Sequence, residues 1–72
     1  MLLNKIDLSA YNRNGYKYTH VAIHFNKFSE LDDYYVGYKR TLENQYGRDF
    51  WARFEILTFR QAVAQYPEYF TL

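Results

Sequence analysis

The sequence predicts a small α+β domain of order β-β-α-β-α, a three-stranded, mainly antiparallel sheet with one long helix on one face and a short C-terminal helix. Three observations predict it. Asn14-Gly15 separates two stretches of alternating apolar and polar residues, as a tight hairpin requires. From Leu31 to Tyr46 the apolar residues recur at helical spacing. A further alternating stretch then ends in Thr58-Phe59-Arg60-Gln61, the pattern of a helix capping box.

Leu2 to Tyr11 reads as the first strand, with Ile6, Leu8 and Ala10 on one face. Tyr16 to Asn26 reads as the second. Val21, Ile23 and Phe25 share one of its faces, and Tyr16, Tyr18, His20, Ala22 and His24 share the other. The long helix is expected to open with Ser29 as N-cap. Glu30, Asp32 and Asp33 would lie in its first turn and Lys39 and Arg40 further on, complementing the helix dipole. Its buried stripe would be Leu31, Tyr34, Tyr35, Tyr38, Leu42 and Tyr46, with Val36 and Gly37 off the stripe and Gly47 as C-terminal cap.

Phe50 to Thr58 reads as the third strand. Phe50, Ala52, Phe54 and Ile56 fall on one face, and Trp51, Arg53, Glu55 and Leu57 on the other. The short helix after Thr58 should stop at Pro67, and the tail Glu68 to Leu72 is apolar enough to dock. The long helix is expected to cover Ile6, Leu8, Val21, Ile23, Phe25, Phe54 and Ile56. The opposite face, rich in Tyr, His and Trp, is expected to be open or only partly covered by the short helix and tail.

A chain of 72 residues is expected to form a single domain over 1–72. It has no cysteine, so its stability must come from apolar burial or from a partner. Lys5 and Asp7 interrupt the N-terminus too early for the apolar core of a signal peptide. No stretch approaches the roughly 20 apolar residues of a membrane helix. A cytoplasmic location with no membrane association is the expectation. Nine bases against eight acids leave a net charge of +1, which gives no general attraction to nucleic acid. Nine Tyr, six Phe and one Trp are more aromatic side chains than a small core needs, so some tyrosines should reach the surface.

The residues that carry chemistry form no catalytic set. His20 and His24 on a strand would stand about 13 Å apart, at about 3.3 Å per residue, too far to share a metal. Ser9 and Ser29 have no neighbouring glycine-rich turn to make an oxyanion hole, and Asp32-Asp33 is explained by a helix first turn. The three glycines are isolated and form no phosphate loop. The chain is therefore expected to be no enzyme and to take no metal or cofactor.

The expected function is a non-enzymatic protein-binding module. It would be a tyrosine-rich, phage-like inhibitor of the kind viruses and mobile elements encode, occupying a surface of a host protein. Partner-binding residues would be Tyr16, Tyr18, His20, His24, Trp51 and Arg53 on the aromatic sheet face. Arg13, Lys17, Lys39, Arg40 and Arg48 would gather at one end and steer association. The same face could pair with its copy in a homodimer. The alternative is a single-stranded nucleic-acid binding protein that stacks bases on these aromatics and uses the basic end for phosphates.

Overall fold

The computed structural model describes residues 5–45 and 53–72. Among them it forms a small α+β fold with a three-stranded antiparallel sheet and two helices.

The first expected strand is cut short by a local hydrogen bond. Ile6–Asp7 forms strand β1, and the chain then winds into a 3-10 helix, Leu8–Asn12. Asp7 caps that helix: its carboxylate accepts from the Ser9 N–H at 3.0 Å and from the Ser9 hydroxyl at 2.7 Å. A short polar side chain that captures a nearby N–H offers the backbone an alternative to a strand ladder. The Asn14-Gly15 hairpin therefore has no first arm. Gly15 does take a positive φ of 87°, but Asn14 does not, so the two-residue hairpin turn is not made. Instead β1 pairs in parallel with Phe70–Thr71 (β5), with Ile6 opposite Phe70.

The hairpin lies further along. His20–Phe25 (β2) and Leu31–Gly37 (β3) pair antiparallel, with Val21 opposite Val36 and Ile23 opposite Tyr34. The expected long helix is thus a strand over its first half. Tyr34-Tyr35-Val36 favours strand, and Gly37 disfavours helix. Asn26 donates its N–H to the Glu30 carbonyl at 2.9 Å, closing a three-residue loop of Lys27, Phe28 and Ser29 between β2 and β3, and its side chain accepts from the N–H groups of Phe28 at 2.8 Å and Glu30 at 3.1 Å. Ser29 donates its N–H to the Asn26 carbonyl at 3.0 Å and takes the left-handed conformation, φ 62°. A turn followed by one left-handed residue is a standard three-residue hairpin loop. Ser29 is therefore a turn residue, not a helix cap. Among the described residues of this stretch only Lys39–Gln45 is helical (α1); the expected Tyr46 and the Gly47 cap lie outside them.

Glu55–Thr58 (β4) pairs antiparallel with the other side of β2, giving the order β3-β2-β4. The register places Leu57 opposite Val21 and Ile56 opposite Ala22. The two strands therefore match faces one residue out of phase with the sequence reading. A one-residue slip moves every side chain to the other face. Leu57 joins the main core, and Phe54 and Ile56 belong with Ala22.

The C-terminal helix, Phe59–Gln65 (α2), has the capping box the sequence predicts. Thr58 Oγ1 accepts from Gln61 N at 3.1 Å, and Gln61 Oε1 accepts from Thr58 N at 3.0 Å. The helix stops before Pro67, and the tail docks: Phe70 is 1% exposed. Leu8, Val21, Ile23, Leu57, Phe59, Ala62 and Phe70 form the main core between the sheet, α2 and the tail. The cover on this face is thus the short helix and not the long one. The second face carries α1, whose buried Leu42 lies against the buried Gly37.

Candidate aromatic interface

Three tyrosines meet where β2 begins and β3 ends. Tyr16 and Tyr18 lie on the same side of the extended segment that leads into β2, and their rings stack at 5.1 Å and 8°. Tyr38, just after β3, sets its ring against Tyr18 at 5.1 Å and 61°. Tyr18 is half-buried against the main core, so it is the base of the group. Tyr16 and Tyr38 are 54% and 42% exposed. Asn12 fixes the segment from behind: its amide donates to the Tyr18 carbonyl at 3.1 Å and accepts from the Tyr18 N–H at 3.0 Å. The Tyr38 carbonyl is held by Leu42 N at 2.8 Å, the first bond of α1.

Other aromatics flank the core without joining this group. Tyr11 and Tyr34 share a hydroxyl–hydroxyl hydrogen bond of 2.6 Å, and Tyr34 sets its ring edge against Phe70. Burial, then the hydrogen bond to Tyr34, pushes the Tyr11 phenol up to about 12. Tyr66 donates to Glu55 at 3.0 Å; burial first, and the carboxylate second, raise its pKa. Phe28 stands at the β2–β3 turn, 70% exposed, with Lys27 Nζ 5.2 Å from its ring centre.

The residues expected to bind a partner are divided between settings. Tyr16 and Tyr18 come together. His20 and His24 lie on the other face of β2 with Ala22. His20 is bonded to its neighbour Thr19 at 2.7 Å. His24 Nδ1 lies 2.5 Å from Asp32 of β3, beside the β-bulge, with Phe54 against its ring. Arg53 is exposed. Trp51 lies outside the described residues, as does Arg48. Of the steering residues, Arg13 is paired with Asp7 at 3.0 Å. The Ser9 hydroxyl first, and Arg13 among smaller contributions, hold the Asp7 carboxyl below its usual value. Lys17, Lys39 and Arg40 are exposed beside the tyrosines. Among the described residues no group of three or more His, Cys, Asp or Glu is placed to hold a metal. No helix of the described residues is long and apolar enough to cross a membrane.

Sequence reasoning assigned Tyr38 to a buried helix stripe and passed over Phe28. The signal for Phe28 was present: it is a lone apolar residue between Lys27 and Ser29 in a polar run. The signal for Tyr38 was Gly37, which ends a strand as readily as it weakens a helix. No family model, curated protein or solved structure matches this chain.

Proposed function

We propose that this chain is a non-enzymatic protein-binding module that covers part of a partner's surface with exposed tyrosine rings. The observation that carries the reading is the Tyr16–Tyr18–Tyr38 stack. Two rings exposed by 54% and 42% rest on a third that is anchored at the core. Tyrosine offers a large amphipathic contact at a cost of two side-chain torsions. The Asn12 bonds and the ring stack hold the group in place before any partner arrives, which lowers the ordering cost of binding. Occupancy of this kind inhibits whatever process uses the covered surface.

The exposed face of Tyr16 next to Lys17 favours a second reading, in which a base of single-stranded nucleic acid stacks on the ring. One experiment separates the two. Wild type, Tyr16→Ala and Tyr38→Ala are immobilised and exposed to a lysate of the source cells, with and without nuclease. A stoichiometric protein, retained after nuclease and lost from both variants while their thermal melts stay normal, supports the proposal. Undiminished recovery on the variants rejects the surface. Recovery that vanishes with nuclease transfers the case to nucleic acid.

A further inference from the structure

Charge is segregated along the sheet, and the tyrosine stack sits at its positive end. The register sets His20 opposite both Gly37 and Thr58, so the start of β2 and the ends of β3 and β4 share one end of the sheet. Lys17 lies just before β2, Lys39 and Arg40 just after β3 at the start of α1, and Arg60 just after β4 at the start of α2. All four are exposed, and none forms an ion pair with an acid among the described residues. The sequence has no acid between Asp7 and Glu30, nor between Asp33 and Glu43, so Glu43 on α1 is the one exposed acid that accompanies these four cations among the described residues of that helix. The opposite end of the sheet, where Phe25 faces Leu31, carries Glu30, Asp32, Asp33 and Glu55 against Lys27 and Arg53. The net charge of +1 conceals this separation.

Resting on the reading of the stack as a protein-contact surface, we propose that its occupant is an acidic segment of the partner protein. Apolar side chains of that segment would seat on Tyr16 and Tyr38, and its carboxylates would face Lys39, Arg40 and Arg60. Two features favour this over a nucleic-acid strand. Tyr16 and Tyr18 lie parallel within 8° and close against each other, so each has already spent one ring face that a base would need. The cations also cluster at one end of the sheet, which suits a short run of acids more than a long backbone of phosphates. Lys17 projects from the other side of its extended segment, so it borders the stack and adds to the field more than to direct contacts.

The test uses the full chain, isotopically labelled, titrated with three probes: a twelve-residue peptide of alternating Glu and Leu-Pro units, its Gln counterpart, and an oligothymidylate. The expected result is saturable shifts of the Tyr16, Tyr18, Tyr38 and Lys39 amides with the acidic peptide alone. Its affinity should fall about tenfold or more in the Lys39→Glu/Arg40→Glu variant, and also on raising salt, as charge-steered contacts do. Lys39→Gln/Arg40→Gln guards against misfolding of the reversal variant and should lose an intermediate amount. Equal binding of the Gln peptide, shifts confined to the Phe28 end, or tighter binding of the oligonucleotide would each overturn the inference. Failure here is distinguishable from failure of the underlying reading. A captured partner that needs Tyr16 and Tyr38 but ignores charge reversal leaves the contact surface standing and removes only the acidic occupant.

Discussion

Gly37 and Leu42 fit together because Gly37 has no side chain. A Cβ built on Gly37 would lie 3.3 Å from both Cγ and Cδ2 of Leu42, tighter than ordinary contact. Leu42 is 2% exposed and is the buried anchor that fixes α1 to the second face of the sheet. Leu42→Ala should cost about 2–5 kcal/mol in a urea titration. Gly37→Ala alone should stay within about 1 kcal/mol, since strand preference offsets crowding. In the Leu42→Ala background the same change fills part of the vacated space and should stabilise. Additive costs would mean that the two residues do not share the site. Val36, by contrast, is half-buried on the main core, so Val36→Ala should be felt, contrary to its place outside a helical stripe.

Ser29 is the one described residue other than glycine with a positive φ. A left-handed conformation costs a residue with a Cβ roughly 1–2 kcal/mol. Ser29→Gly should therefore stabilise the chain, by up to about 1 kcal/mol once glycine's greater freedom in the unfolded state is set against the relieved strain. Ser29→Val should destabilise it, because a β-branched residue tolerates that conformation worst. The comparison of urea midpoints decides it. A destabilised Ser29→Gly would show that the serine side chain contributes more than its backbone costs.

What was legible in the sequence was whatever local chemistry decides. The Thr58–Gln61 box is complete within four residues, and it forms as read. The alternation Val21, Ile23, Phe25 holds because β2 is the central strand, paired on both sides. Leu31 to Gly37 could not be read the same way. Apolar residues at 31, 34, 35 and 38 fit a helix, and only pairing with β2 makes the segment a strand. The Asn14-Gly15 pair misled: only Gly15 takes a positive φ, and the first arm is spent on the Asp7–Ser9 bonds. In the candidate site, alternation put Tyr16 and Tyr18 on one side of the chain, but it also grouped them with His20 and His24, from which the structure separates them. Tyr38 was hidden by the helix reading, and the face of Leu57 by the register, which no single strand encodes.

The capping box gives a local test of α2. Thr58→Ala leaves the Gln61 N–H without its partner and should cost about 1 kcal/mol. Thr58→Ser keeps the oxygen and should retain most of the stability. Gln61→Ala removes only the reciprocal bond to Thr58 N, which stands near solvent, and should cost less. Thermal melts should place Thr58→Ala lowest, with Thr58→Ser and Gln61→Ala both above it. Equal melting of Thr58→Ala and wild type would show that α2 is held by Phe59 and Ala62 alone.

Tyr11 should make the chain sensitive to alkali. Its phenol is raised from 10.0 to about 12, by burial first and by the hydrogen bond with Tyr34 second. The folded chain thus holds this proton more tightly than the unfolded chain. Between those values the unfolded state has lost the proton and the folded state has not, so stability falls as pH rises. The contribution is complete below about pH 10, the ordinary value, and is lost as pH passes through about 12. Tyr66, raised by burial and by Glu55, acts in the same direction. Tyr11→Phe cannot ionise, so its stability should fall less steeply over this window, even though the lost 2.6 Å hydrogen bond makes it somewhat less stable at neutral pH. Urea titrations of both proteins from neutral pH to about pH 12 supply the two curves, and ultraviolet titration of the phenols locates the late-titrating group. Parallel curves would place the alkaline sensitivity elsewhere, with Tyr66→Phe as the next variant to measure.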